Sequence, residues 1–106
     1  MITTNRTNFQ NDVLNFKGVV VADFYADWCG PCRMLSPMLE ELSHNNKNDL
    51  VKFVKVNVDE NQDLAGTYGV MSIPTVIFFK EGKLTKQLIG VQSPTVYEET
   101  INQSLQ

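Results

Sequence analysis

Cys29 and Cys32 are the only thiols in this 106-residue chain, and only Gly30 and Pro31 separate them. At the start of a helix, one turn brings the β-carbons of such a pair within disulfide range, so the pair can close and reopen with little chain movement. The unpaired amides of a helix N-terminus carry about half a positive charge, which favours a thiolate on the first cysteine. Cys29 is therefore the expected nucleophile. Cys32, one turn further in, is expected to attack the resulting mixed disulfide and release the reduced substrate. Gly30 and Pro31 tune the pair. A histidine in place of Pro31 would donate to the thiolate and make the protein an oxidant, whereas proline has no donor and places the pair toward the reducing end.

Other uses of the thiols fit less well. A structural zinc ordinarily takes four protein ligands, and the chain has two cysteines and one histidine. His44 lies fifteen residues beyond Cys29, about 22 Å along a straight helix at ~1.5 Å per residue, too far for a cysteine–histidine protease pair. Trp28, Gly30 and Pro31 read as an exposed turn rather than the surroundings of inert core cysteines. No metal and no cofactor are expected.

The elements that must hold the pair follow from the hydrophobic pattern. Val19 to Tyr25 is β-branched and aromatic and apolar on both faces, which suits a central strand covered on each side. Asp23 is the anomaly in it: an unpaired carboxylate there is costly, and burial raises its proton affinity. From Cys32 to Ser43, the residues Leu35, Met38, Leu39 and Leu42 form one helical stripe, with Pro31 in its first turn and Pro37 expected to kink it. Val51 to Val58 reads as a strand. Asp59 and Asn61 supply caps for a short helix to about Tyr68, and Gly69 ends it. Val76 to Phe79, Glu81-Gly82 and Leu84 to Ile89 read as a hairpin. Ser93-Pro94 starts a last helix that buries Val96, Ile101 and Leu105. A short helix is expected over Thr7 to Phe16 and an edge strand over Met1 to Thr4. This order implies an α/β fold: a mixed, mostly parallel sheet of four to five strands with an antiparallel C-terminal hairpin and helices on both faces.

Length suits one domain over residues 1–106. Nine basic and twelve acidic residues are spread along the chain, giving a net charge of −3, so nothing argues for nucleic acid or an anionic membrane as partner. The longest apolar run falls far below the ~20 residues of a membrane helix, and the polar start does not read as a signal peptide, so a cytoplasmic monomer is expected.

Phe24-Tyr25-Ala26-Asp27-Trp28-Cys29-Gly30-Pro31-Cys32, with Asp23 and Pro37 around it, Lys55-Val56-Asn57-Val58-Asp59, Tyr68-Gly69-Val70, Ile73-Pro74-Thr75 and Gly90, closely resembles the thioredoxin family from about Phe9 onward. The resemblance implies a general protein-disulfide reductase, acting on disulfide-containing proteins and recharged by an NADPH-dependent thioredoxin reductase. It makes Asp23 the buried acid that takes the proton of Cys32, places the ammonium of Lys55 near Asp23, and makes the Ile73–Pro74 bond cis beside the cysteines. Trp28, Gly30, Pro31, Ile73, Gly90 and Val91 would then form a flat docking surface, with Pro74 serving substrate binding through its geometry, Ile73 pairing to an extended substrate and Trp28 covering the sulfur. Tyr25 stands where many relatives carry a second tryptophan. Two other readings remain at this point: a disulfide oxidase or isomerase, and a redox-independent assembly subunit.

Overall fold

The computed structural model describes residues 1–106. Five strands form one sheet in the order β1-β3-β2-β4-β5: β1 (Ile2–Thr4), β2 (Val19–Tyr25), β3 (Val51–Asn57), β4 (Thr75–Lys80) and β5 (Lys83–Ile89). β1 and β2 pair parallel to β3, while β4 runs antiparallel to both β2 and β5. The expected parallel region, C-terminal hairpin and edge strand are all present. β2 is central, and Val19 through Phe24 are fully buried, as an apolar run on both faces requires.

Strand alternation sends β2 side chains into two cores. Val20, Ala22 and Phe24 join Phe9, Val13, Val54, Val56, Ile77 and Phe79 on one face, under the N-terminal segment and α2 (Gln62–Thr67). Val19 and Val21 join Leu35, Leu39, Phe53, Val76, Phe78, Tyr97 and Ile101 on the other, under α1 (Gly30–Asn45) and α3 (Pro94–Leu105). Burying each large apolar side chain contributes about 1.5–3 kcal/mol, so both helical layers are held mainly by these stripes. Asp23 alternates with Val19 and Val21 and so faces the α1 side.

Some elements differ from expectation. The N-terminal helix shrinks to one π-type turn, Gln10–Leu14, closed by the Asn15 amide on the Gln10 carbonyl at 2.8 Å. A local amide side chain competes for the backbone ahead of this turn: Asn5 Oδ1 accepts the Asn8 N–H at 2.9 Å. α1 extends to Asn45, beyond the expected Ser43, with Pro37 inside it. α3 buries Tyr97, Thr100 and Ile101, and Val96 is only half-buried. Tyr97 was not anticipated because its hydroxyl obscures its apolar ring. That hydroxyl accepts from the Gln92 amide at 3.0 Å and donates to the Gly90 carbonyl at 3.4 Å, tying the loop after β5 to α3.

The hairpin turn needs left-handed backbone at both central residues, Glu81 (φ 52°) and Gly82 (φ 79°). A β-carbon on Gly82 would also lie 2.6 Å from the Leu14 carbonyl oxygen. Gly82→Ala is therefore expected to destabilise the fold by about 2 kcal/mol, read as a lower urea midpoint. The folded fraction should keep full redox activity. An unchanged midpoint would contradict the crowding at this turn.

Candidate active site: a disulfide at a helix start

β2 ends at Tyr25, and α1 begins five residues later at Gly30. The intervening turn is stapled by Arg33, whose Nε and Nη2 donate to the Asp27 carbonyl at 3.2 and 2.9 Å. Cys29 is the N-cap of α1, and Cys29 and Cys32 are joined as a disulfide across a Cα separation of 5.3 Å. The Cys29 sulfur accepts the Cys32 backbone N–H at 3.2 Å, as an N-cap side chain accepts from the third helical residue. That amide and the helix dipole stabilise negative charge on Cys29. Pro31 lies in the first turn, where a missing N–H costs nothing. Gly30 is open: a β-carbon there would meet nothing within 4 Å. Exposure barely separates the two cysteines in the closed form, at 4% for Cys29 and 2% for Cys32. Position on the helix is what distinguishes them.

Around the disulfide, Tyr25, Val58 and Ile73 pack against Ala26, Cys29 and Cys32. Neither the N–H nor the C=O of Ile73 is hydrogen-bonded within the chain, which leaves the backbone of one residue unpaired beside the cysteines. The Ile73–Pro74 peptide is cis. The Pro74 carbonyl accepts from the Gly90 amide at 2.8 Å, so the 73–74 and 90–91 segments lie side by side, with Gly90 at φ 81°. Val91 and Ile89 expose apolar surface there.

Trp28 is a surface residue, 68% exposed, as the reading of an exposed turn requires. Its Nε1–H donates to Asp59 Oδ2 at 2.8 Å, and the ring walls a cavity of about 410 Å³ with Val58, Ala65, Val70, Met71 and Ile73. Asp59 is thus not a helix cap as expected. Asn61 occupies the cap position of α2 but its side chain does not cap; it accepts from the Arg6 amide and donates to the Asn57 carbonyl. No spacing in the sequence links Trp28 to Asp59, thirty-one residues away, so that contact had no local signal.

Asp23 is completely buried, opposite Lys55 on β3 and Val76 on β4. Oδ1 has no hydrogen-bond partner, and Oδ2 accepts only the Ser36 hydroxyl, at 3.5 Å. Burial lifts its pKa from 3.8 to about 7, opposed by the Ser36 hydrogen bond and by the Lys55 charge. Lys55 makes no ion pair with Asp23; its ammonium stands over the Tyr25 ring, 5.5 Å from the centroid. A second cavity, about 440 Å³, is lined by Cys32, Ser36, Tyr25, Arg33, Glu40 and Lys55. Ser36 escaped the sequence reading, although it follows Cys32 by one helical turn and shares its face.

The family model for thioredoxin matches residues 1–103. Thioredoxin of Alicyclobacillus acidocaldarius is 46% identical over 99% of this chain and 98% of its own length. Thioredoxin of Bacillus subtilis strain 168 is 48% identical, over 84% of this chain and 85% of its own. Among solved structures, a mutant thioredoxin of Halobacterium salinarum superposes with a TM-score of 0.88 at 35% identity, covering all of this chain and 90% of that one. With this similarity across almost the whole sequence and a cysteine pair closed at a helix start, the chain belongs to the thioredoxin family and is a protein-disulfide reductase, a thiol–disulfide oxidoreductase.

Proposed function

We propose that residues 1–106 form one thioredoxin domain in which Cys29 and Cys32 act in a fixed order. The Cys29 thiolate attacks one sulfur of a substrate disulfide, forming a mixed disulfide and expelling the other sulfur as a thiolate that takes a proton from solvent. Cys32 then gives its proton to the Asp23 carboxylate and attacks the Cys29 sulfur. The remaining substrate thiolate leaves, and the Cys29–Cys32 disulfide keeps the two-electron oxidation. A carboxyl with a pKa of about 7 can both take and return a proton near neutrality. Lys55 biases it toward the charged form from the neighbouring strand. The observation that carries this order is the Cys32 N–H donated to the Cys29 sulfur, which favours charge on Cys29 rather than on Cys32.

Substrate docking is assigned to Trp28, Ile73, Pro74, Gly90 and Val91, with Gly30 and Pro31 keeping the approach open and the sulfur without an added donor. Pairing through the free Ile73 backbone is indifferent to substrate side chains, which suits a general reductase. Family membership implies protein disulfides as substrates and a thioredoxin reductase as electron donor. An NADPH-dependent reductase, a cytoplasmic setting and a monomeric carrier without a bound cofactor complete the reading. No helix is long and apolar enough to cross a membrane.

The direction of electron flow is tested by equilibrating the pair against glutathione of defined redox poise. A reduction potential close to about −270 mV, characteristic of thioredoxins, is expected; a value close to about −120 mV, that of the strongly oxidising relatives, would overturn the assignment as reductant.

A further inference from the structure

We infer that Ser36 is a positioning residue for the resolving step: its hydroxyl holds the Asp23 carboxylate and links it to the cavity onto which Cys32 opens. The inference rests on the reading of Asp23 as proton acceptor. Asp23 has no exposed surface, and the Ser36 hydroxyl is its one hydrogen-bond partner. Ser36 is half-buried and lines the same cavity as Cys32. A serine inside a helix often returns its hydroxyl to the carbonyl one turn back, whereas this one reaches off the helix to the sheet. The charged or titratable groups that act on Asp23 are Lys55 on β3, Tyr25 on its own strand and Tyr97 on α3; Cys32, Arg33 and Glu40 on α1 line the cavity that Ser36 borders, and β4 places Val76 opposite Asp23. None of these hydrogen-bonds to the carboxyl; only Ser36 does.

When Cys32 attacks, its S–H bond breaks and Asp23 gains the proton. The Ser36 hydroxyl keeps donating to Oδ2 while the carboxylate is charged and so holds it in the charged, accepting form until that moment. The proton later returns to solvent through the shared cavity, and Ser36 is chemically unchanged.

The test uses the reduced protein with one equivalent of an aromatic disulfide probe, such as 4,4′-dithiodipyridine. Its two thiols are released in successive phases, the second reporting Cys32. In Ser36→Ala, the midpoint of the second phase against pH and the midpoint of the Asp23 carboxyl seen by NMR should both move alkaline by about one pH unit. At pH 7 the second phase should slow about threefold to tenfold, with the alkaline plateau kept. Ser36→Thr, which retains the hydroxyl, should restore both midpoints. A merely structural role would lower the plateau and leave the midpoints in place, and that result overturns the inference. Should the NMR midpoint move while the kinetic midpoint stays, and Asp23→Asn resolve as fast as the parent, the reading of Asp23 itself fails and takes the role of Ser36 with it.

Discussion

Replacing Cys29 with serine is expected to reduce the catalysed reduction of a protein disulfide to the uncatalysed background. The thiolate is the nucleophile of exchange, and a serine hydroxyl at the same helix start stays protonated at neutral pH. The opposite replacement should look different. In Cys32→Ser, Cys29 keeps its N-cap position and its amide donor, because the bond comes from the backbone of residue 32 and not from its side chain. The first attack should therefore proceed and the second should fail, leaving a stable one-to-one adduct with substrate, visible by mass on a non-reducing gel and released by dithiothreitol. Insulin serves as substrate, with turbidity of the freed B chain as the rate. Sustained turnover by the Cys29 variant, or trapping by that variant instead of Cys32→Ser, would reverse the assigned order. The same pair of variants separates catalysis from scaffolding: a double serine variant that still supports the cellular role would point to redox-independent assembly.

Much of this site was legible in the sequence because its key residues carry local signals, either by breaking a local rule or by sitting at an element boundary. Asp23 interrupts an apolar run of the central strand, and the structure finds it fully buried. Pro31 sits where a helix tolerates proline, and Pro74 precedes β4, where a proline does not interrupt the ladder. The central strand itself was read to the residue, since Val19–Tyr25 is apolar on both faces and bounded by Gly18 and Asp27. What stayed hidden depends on packing across the chain. The Asp59 carboxylate on Trp28 joins the end of β3 to the active turn, and neither residue signals the other. Ser36 belongs to a helix whose visible pattern is the apolar stripe of Leu35, Met38, Leu39 and Leu42, and its partner is thirteen residues back on a strand. The helix expected over Thr7 to Phe16 was overestimated although Phe9 and Val13 are buried, because the asparagines among them satisfy backbone and one another locally.

The largest stability effect is expected at Asp23, and its sign is opposite to that of a structural salt bridge. In the unfolded chain the carboxyl ionises around 3.8, and in the fold at about 7, because desolvation outweighs Ser36 and Lys55. The native state therefore binds the extra proton between these values, and stability falls as pH rises through that window. Its contribution is intact below about 3.8 and fully lost above about 7. At about 1.36 kcal/mol for each tenfold change in proton affinity, the loss is on the order of 4 kcal/mol, an upper figure for a carboxyl that retains one hydrogen bond. Asp23→Ala removes the titration. Urea unfolding of the two oxidised proteins should show the variant gaining about 2–4 kcal/mol over its parent between pH 4 and pH 8, with the curves converging at acid pH where a small cavity is the only difference. Parallel stability curves across that range would mean that Asp23 ionises in the fold as it does in the open chain. The same variant should slow the second, Cys32-dependent phase of exchange, since its carboxylate acceptor is gone. A residue that costs stability at neutral pH and speeds the resolving step is what a buried acid kept for chemistry looks like, and the two measurements on one variant test both halves of that statement together.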